Sequence, residues 1–173
     1  KMEREIGSIR FEYSCESIDL FDIHVEMRNS LYGRMGLRTD YCIGWQGEVL
    51  RVLRNVERPG FRSVLNVLYA GDRPVSTHYG LFSRGVLHWW FPAYDLAFQR
   101  YSPGLQLIDI RARQAAIEAI RMIDFGKGDD RYKVLFADRS IPMLRGSACQ
   151  EGSFAARTRA SHAAIINFAE RVL

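Results

Sequence analysis

Titratable side chains occur in two otherwise apolar segments of the sequence. His78 lies within the run 74–82, and Asp124 lies in the run 122–126. Histidine titrates near neutral pH, so His78 is a candidate general base. Asp124 is expected either to pair with a cation, with Lys127 the nearest, or to have a shifted pKa. The structural alternative for His78 is a core histidine with satisfied hydrogen bonds. For Asp124 it is an ion pair that closes a turn.

A second group of residues suits an anion. Ser102 can cap a helix that starts at Pro103, and the missing side chain of Gly104 lets a ligand approach the backbone. The free N–H groups at the positive end of such a helix attract phosphate. Arg100 adds a charge just before it. The free donors would belong to Gly104, Leu105 and Gln106. An ordinary capped helix start is the alternative.

The segment after Asp124 combines flexible backbone with charge. Gly126 and Gly128 flank Lys127, and Tyr132 and Lys133 open a short helix. The glycines allow a sharp bend or a close approach to a ligand. Tyr132 and Lys133 would then cover a ligand, or they are surface residues. Two other histidines, His24 and His162, are expected at the surface or at an interface.

The elements that must position these residues follow from hydrophobic periodicity and from glycine and proline positions. Predicted strands cover 9–13, 63–70, 74–82, 86–94, 122–126 and, as a strand or hairpin, 147–158. Predicted helices cover 19–34, 45–57, 103–121, 130–137 and 161–173. Strands 86–94 and 122–126 flank a helix and should run parallel. This order predicts an α+β layer fold.

A two-residue turn at Arg84-Gly85 sets the register of the central hairpin. Phe82 then pairs with Leu87 and Gly80 with Trp89, and a regular ladder places His78 on one face with Trp89 and Phe91. His88 falls on the opposite face with Tyr79 and Trp90. The two strand histidines are therefore not expected to act together.

Bulk composition excludes several classes of function. The 173 residues suit one domain, taken as 1–173, and the net charge of +4 is spread along the chain, which does not indicate a nucleic-acid binder. Three widely spaced cysteines predict neither a disulfide framework nor a metal site. Without an apolar run of membrane-spanning length or a signal peptide, a cytoplasmic location is expected. Because the sequence starts at Lys1, an N-terminal domain could be missing.

Three segments together resemble one branch of the GNAT superfamily of acyltransferases. They are residues 87–95, 101–104 and 123–133, and the resemblance spans about 7–136. The branch is the one named for cellulose biosynthesis (CelD-type), a polysaccharide-related bacterial group distantly similar to FemAB-like transferases. It implies a GNAT-like three-layer α+β fold, with a mixed, mostly antiparallel sheet, a parallel strand pair and helices on both faces.

The resemblance also implies an acyl donor, either acetyl-CoA or a longer acyl-CoA, or an acyl-carrier protein. The pantetheine arm would lie beside Phe91, Ala93 and Tyr94, and the pyrophosphate at the helix start. One departure from the family is clear: the usual phosphate loop, Q/R-x-x-G-x-G/A, is one residue too long here, and Gln106 replaces its second small residue. The donor-binding residues expected beyond the strand are Arg100, Ser102, Gly104, Leu105, Gln106, Lys127 and Lys133.

The implied reaction is direct attack of an acceptor amine on the thioester. His78 or Asp124 would accept the proton, Tyr132 would protonate the leaving thiolate, and backbone N–H groups near Trp90 would polarise the carbonyl. A small-molecule or saccharide acceptor would contact Glu26, Arg28, Tyr32 and Trp90, and a homodimer is compatible with the family. Two alternatives stay open: aminoacyl transfer of the FemAB type, and a GNAT fold without catalysis that binds a ligand or regulates.

Overall fold

The computed structural model describes residues 1–13, 16–37, 44–144, 150, 153, 154, 158 and 161. The chain divides into two compact units, Lys1–Ala137 and Asp138–Leu173. The first unit contains helices α1 (Met2–Ile6), α2 (Ile18–Arg34), α3 (Gly44–Arg54), α4 (Pro103–Ala115) and α5 (Arg131–Phe136), a 3-10 helix (Leu96–Tyr101), and strands β1 (Ile9–Glu12), β2 (Glu57–Arg58), β3 (Phe61–Ala70), β4 (Arg73–Ser83), β5 (Val86–Tyr94) and β6 (Met122–Asp124).

One mixed sheet organises this unit. Its strand order is β1-β3-β4-β5-β6, and the short β2 also pairs with β3. All pairs are antiparallel except β5 with β6, which run parallel with α4 between them in sequence. The predicted α+β class and the parallel pair are therefore confirmed.

Alternation along the long strands builds a core on each face of the sheet. On one face, Val64 and Leu68 of β3 join Trp89 and the α4 residues Leu107 and Ile108. On the other, strand side chains pack against Phe21 of α2 and Leu50 of α3; they are Leu65, Val67, Tyr69 and Tyr79. Successive strand residues point to opposite faces, so β3 supplies both cores. Helices thus cover both faces, as expected.

Helix α4 ends earlier than periodicity predicts. Its last residue is Ala115, whereas the sequence pattern continues to 121. Ala119 adopts a left-handed conformation, with φ of 56°, and Ile120 N–H closes the turn on the carbonyl of Ala115. The chain then reaches the sheet, where Arg121 N–H donates to the carbonyl of Gly85.

Two further expectations were wrong. His24, expected at the surface or at an interface, is fully buried inside the first unit, and its Nδ1 lies 2.9 Å from the hydroxyl of Thr77. In the second unit, Phe154 and Thr158 are helical, so a strand over 147–158 is incorrect at these residues. Ser161 is also helical, while the remainder of the predicted helix 161–173, with His162, and all three cysteines lie outside the described residues.

Candidate functional site

The turn that joins β4 to β5 forms as predicted. Arg84 and Gly85 both have positive φ, 49° and 84°, and Phe82 pairs with Leu87. Such a turn matches the right-handed twist of the two strands. The register that it sets holds as far as the pair of Leu81 with His88.

A β-bulge interrupts the same hairpin directly after the pair of Leu81 with His88. Tyr79 pairs with Phe91, so Trp89 and Trp90 together lie opposite Gly80. The predicted pairing of Gly80 with Trp89 alone omitted this extra residue. Beyond the bulge, Phe91 packs in the core of the α2 face, not on the face of His78.

His78 lies against Gly80, the residue of β4 opposite the bulge. Its ring is fully buried and stacks on Trp89, with the centroids 3.6 Å apart and the planes 4° apart. The amide of Asn66 lies 2.9 Å from Nδ1, while the buried Nε2 makes no hydrogen bond among the described residues. Burial lowers the pKa of His78 well below its ordinary value, and His24 and Arg111 lower it further. This environment favours a neutral ring that shapes the strand.

The pairing of β5 with β6 stops halfway along β5. The last pair is His88 with Asp124, and β5 continues to Tyr94 without a described partner on that side. After Asp124 the chain turns at Gly126, where φ is 69°. The two strands therefore diverge next to the bulge, and the edge of β5 from Trp89 onward has no described partner strand. We call the region beside this unpaired edge the opening.

Asp124 pairs with His88, not with the Lys127 that the sequence suggested. Its Oδ2 lies 3.3 Å from His88 Nδ1, and its Oδ1 accepts a 2.8 Å hydrogen bond from Gly126 N–H. Lys127 instead contributes its carbonyl, which accepts from Lys133 Nζ. Sequence reasoning missed His88 because its partner depends on the register of two strands that are distant in sequence.

Tyr132 and Phe125 form the other side of the opening. The ring of Phe125 meets Trp89 edge-on at 6.4 Å, and Tyr132 meets Phe125 edge-on at 5.9 Å. Burial raises the pKa of Tyr132, Asp130 raises it further, and Arg28 partly offsets both. Lys133 lies beside this group and forms a 2.9 Å ion pair with Asp130.

Arg28 of α2 reaches the same strand from the opposite face. Its Nη1 donates a 2.6 Å hydrogen bond to the carbonyl of Pro92, and its guanidinium lies 4.3 Å from the ring centre of Tyr32 and also bonds its hydroxyl. Trp90 lies on β5 itself and is 45% exposed. Three of the four predicted acceptor-binding residues, Arg28, Tyr32 and Trp90, therefore border the exposed part of β5.

The fourth predicted acceptor residue, Glu26, lies elsewhere. It lines a cavity of about 480 Å³ between α2 and the ends of β4 and β5, together with Ser30, Arg73, Tyr94 and Asp95. Ala93, a predicted donor-binding residue, has its carbonyl engaged within the sheet, where it accepts a 2.8 Å hydrogen bond from the Ser76 hydroxyl. Tyr94 links this cavity to the start of α4, because its ring lies 3.6 Å from where a Cβ of Gly104 would stand.

The start of α4 differs in detail from the predicted phosphate site. Ser102 precedes the helix in a left-handed conformation with φ of 52°, and its side chain makes no capping hydrogen bond. Its carbonyl accepts from the N–H groups of Leu105 at 3.1 Å and Gln106 at 3.3 Å. Two of the three donors expected to be free are thus engaged, since the carbonyl of the residue that precedes a helix accepts the first intrahelical hydrogen bonds.

Charged groups surround this helix start. Arg100 is largely exposed and lies 3.7 Å from Glu5, and the side chain of Gln106 donates to the carbonyl of Tyr101 at 2.8 Å. A cavity of about 320 Å³ lies against the helix start. Its lining includes Lys1, Glu3, Arg100, Ser102 and Gln106. The left-handed Ser102 costs about 1–2 kcal/mol, and such strain tends to concentrate at functional sites.

The described ranges contain neither a metal-binding cluster nor a membrane-spanning helix. No group of three or more His, Cys, Asp or Glu side chains there could hold a metal ion. None of the helices in that part of the chain is long and apolar enough to cross a membrane.

Comparison with known proteins gives one family and one fold. Residues 1–134 match the family described as the acetyltransferase (GNAT) domain. An aminoglycoside acetyltransferase from an uncultured soil metagenomic sample, solved with sisomicin and with trehalose, is 15% identical, with a TM-score of 0.54 over 82% of this chain and 97% of that one. A transcriptional regulator from Bacillus halodurans is 14% identical, with a TM-score of 0.53 over 82% and 100%. No curated protein matches the chain.

Proposed function

This chain belongs to the acetyltransferase (GNAT) family, and on that premise we propose that it transfers an acetyl or longer acyl group from acyl-CoA to an amine. The observation that carries the proposal is the point where β5 and β6 separate. Pairing ends at His88 and Asp124, while β5 continues past the bulge to Tyr94. An extended pantetheine arm can add to the exposed backbone of β5 as a strand would.

The thioester belongs beside the bulge. A bulge breaks the regular ladder, so backbone groups at Trp89, Trp90 and Phe91 need not all point at β4. An N–H group there is placed to donate to the carbonyl oxygen as negative charge develops on it. Pro92 has no N–H, and its carbonyl is held by Arg28. GNAT acetyltransferase domains generally use acetyl-CoA, which fits this assignment.

The diphosphate of CoA is proposed to bind at the start of α4. Gly104 lacks a side chain, and its neighbourhood is open apart from the Tyr94 ring at 3.6 Å. Gly104 is the second residue of this helix of 13 residues, whose positive end adjoins the cavity lined by Arg100, Ser102 and Gln106. Lys127 and Lys133 are proposed as further phosphate partners, at the other side of the opening.

Tyr132 is proposed to give its proton to the leaving thiolate. It stands against Phe125 at the edge of the opening. The ordinary pKa of tyrosine is near 10 and burial raises it here, so the hydroxyl is protonated at neutral pH and can donate to sulfur.

The acceptor is proposed to be an amine on a small molecule or saccharide. Arg28, Tyr32 and Trp90 border the exposed strand, and Glu26 could bind a cationic group in the adjoining cavity. The related fold solved with sisomicin and trehalose supports a saccharide-sized acceptor. The cellulose-associated branch of the family stays a prediction.

Calorimetric titration with acetyl-CoA tests the donor site. Gly104→Glu places a negative charge at the proposed diphosphate position, yet an acidic residue in a first helical turn favours the helix. We expect at least about tenfold weaker binding, which corresponds to about 1.4 kcal/mol, with unchanged circular dichroism. Ala112→Glu adds the same charge at an exposed position of α4 and should bind like the wild type. Equal affinity of both variants would remove the diphosphate site.

A second candidate is a GNAT fold that binds a ligand without transfer. The observation in its favour is the start of α4, where the N–H groups of Leu105 and Gln106 are taken by Ser102 and where Arg100 is paired with Glu5. One protein with a similar fold is a transcriptional regulator, so the fold also occurs in proteins that are not named as transferases. Absence of binding by any acyl-CoA in the same titration would favour this candidate.

A further inference from the structure

The parallel register brings together two titratable side chains at the edge of the opening. His88 stands opposite Asp124 in the last pair of β5 with β6. The distance from Nδ1 to Oδ2 is 3.3 Å, and the side chains are 29% and 42% exposed. His78, by contrast, is fully buried under Trp89. Of the two strand histidines, only His88 can exchange a proton with solvent or with a ligand.

The second oxygen of Asp124 fixes the geometry of this pair. Oδ1 accepts from Gly126 N–H at 2.8 Å, so Oδ2 is directed at the imidazole. A carboxylate next to Nδ1 favours the tautomer with the proton on that nitrogen. Nε2 of His88 is then left with a free lone pair, which is the state that a proton acceptor needs.

Among the residues that the structure describes, one charged side chain pairs with the ring. Asp124 contacts it from β6, Leu81 stands opposite it on β4, and Trp90 lies 5.7 Å from it, centre to centre, on β5 itself. The next residue of β5 is Trp89, where the bulge begins. The imidazole is therefore one residue from the backbone that we assign to the thioester carbonyl.

We propose that His88 is the catalytic base of the transfer reaction and that Asp124 is a positioning residue. This rests on the proposed acyl transfer. Nε2 takes one proton from the acceptor ammonium, and the neutral amine attacks the carbonyl carbon. The C–N bond forms and the C–S bond breaks. The second amine proton ends on the CoA sulfur through Tyr132, and His88 returns its proton to solvent.

The test uses the full chain, acetyl-CoA, and two kinds of acceptor. Sisomicin, glucosamine, lysine and putrescine carry protonated amines at neutral pH, whereas hydroxylamine is already unprotonated. His88→Gln should lower kcat by about 100-fold or more with the protonated amines. With hydroxylamine the loss should be below about tenfold, because no proton must be removed before attack. The KM for acetyl-CoA should stay within about twofold in either assay.

Asp124→Asn gives a second, independent readout. The new amide can still accept from Gly126 N–H, but its NH₂ group would face Nδ1 and favour the tautomer that protonates Nε2. We expect a loss of kcat with the protonated amines close to that of His88→Gln, and little further loss in the double variant. Asp72→Asn, an exposed carboxylate in the β3–β4 turn, should retain wild-type rates.

Three outcomes separate the assignments. Full kcat in His88→Gln, or an equal loss with hydroxylamine and with protonated amines, would overturn His88 as the base while leaving acyl transfer in place. Loss of acetyl-CoA binding in that variant would assign the pair to donor binding and overturn the proposal. If the wild type binds acetyl-CoA but releases no thiol with any of these nucleophiles, the transfer function fails and the base assignment fails with it.

Discussion

At the scale of single residues, Gly80 determines the shape of the site. A Cβ at this position would stand 2.2 Å from the carbonyl oxygen of His88 and 2.7 Å from the ring of His78. The first of these contacts is with backbone that cannot move without breaking the bulge. The absence of a side chain lets the His78 ring stack on Trp89, which holds the extra residue of β5 in place.

Gly80→Ala should therefore destabilise the protein strongly. We expect a loss of about 3 kcal/mol in the free energy of unfolding, as found for overpacked cores. Gly104→Ala is the matched control, because its Cβ would meet only the Tyr94 ring at an ordinary 3.6 Å. Urea unfolding of both variants measures the difference. Equal midpoints for the two would show that the bulge does not depend on Gly80.

His24 should make stability depend on pH. Burial lowers its pKa to about 3, with a further contribution from Arg28, whereas the unfolded chain has a histidine pKa near 6.5. The native state thus excludes a proton that the unfolded state binds below about pH 6.5, so stability is full above that pH and falls as the pH is lowered toward about 3.

The expected slope for this one group is about 1.4 kcal/mol per pH unit within that window. Urea unfolding between about pH 7 and pH 4 measures it. His24→Gln keeps a polar group near Thr77 but removes the titration, so its profile should be flatter by about that amount. Parallel profiles for wild type and variant would contradict the assignment of a neutral, buried His24.

Some residues of the site could be found from the sequence and others could not. Asp124 stood out because a carboxylate interrupts an apolar strand, and Tyr132 because it opens a short helix after the glycines; both border the opening. His88 did not stand out, since a parallel register cannot be deduced from two strands 36 residues apart. The burial of His24 could not be predicted either, because its partner Thr77 lies on a strand that is distant in sequence.

At the scale of secondary-structure elements, α4 is anchored by a buried cation. Arg111 is fully buried, donates to both carboxylate oxygens of Glu118 at 3.2 and 2.9 Å, and lies 4.3 Å from the ring centre of Tyr13. Glu118 follows the end of the helix, so this pair ties the irregular turn back to α4. A buried charge needs such a partner.

Glu118→Gln should destabilise the fold by about 3 kcal/mol, because it leaves the Arg111 charge without its counter-ion. Asp109→Asn removes a similar ion pair on the same helix, with Arg113, but both side chains there are largely exposed. That variant should lose about 0.5 kcal/mol or less. Thermal unfolding of the two proteins side by side gives the comparison. Similar losses would mean that burial of Arg111 adds nothing.

Elements were predictable where a local pattern determines them. The β4–β5 hairpin follows from Arg84-Gly85, and α2 and α5 follow from their own periodicity. The end of α4 and the bulge were not predictable, because both depend on tertiary contacts. Ala119 adopts a left-handed conformation to bring Arg121 to Gly85, and the bulge forms around His78 and Gly80. A straight alternation rule placed Phe91 on the wrong face for that reason.

At the scale of the whole molecule, the first unit has what an independent domain needs. It spans Lys1–Ala137 and contains a six-stranded sheet with a core on each face. The family match, 1–134, ends within it. The fold class was predictable because the order of strands and helices leaves few ways to layer them.

A chain cut after Ala137 should fold cooperatively and bind acetyl-CoA as the full chain does. All residues assigned to the donor site lie before that point. Calorimetric titration and urea unfolding of the shortened protein check both expectations. A shortened protein that folds but binds at least about tenfold more weakly would assign part of the donor site to the second unit.

The central claim is acyl transfer from acyl-CoA in the opening between β5 and β6. The most direct test incubates the protein with acetyl-CoA and the amines already named, and measures both the CoA thiol released and the mass of the acceptor. We expect free thiol and N-acetylated amine in equal amounts, with both products reduced in Gly104→Glu and unchanged in Ala112→Glu. Bound acetyl-CoA without any acetylated product from any amine, or product formation unaffected by Gly104→Glu, would contradict it.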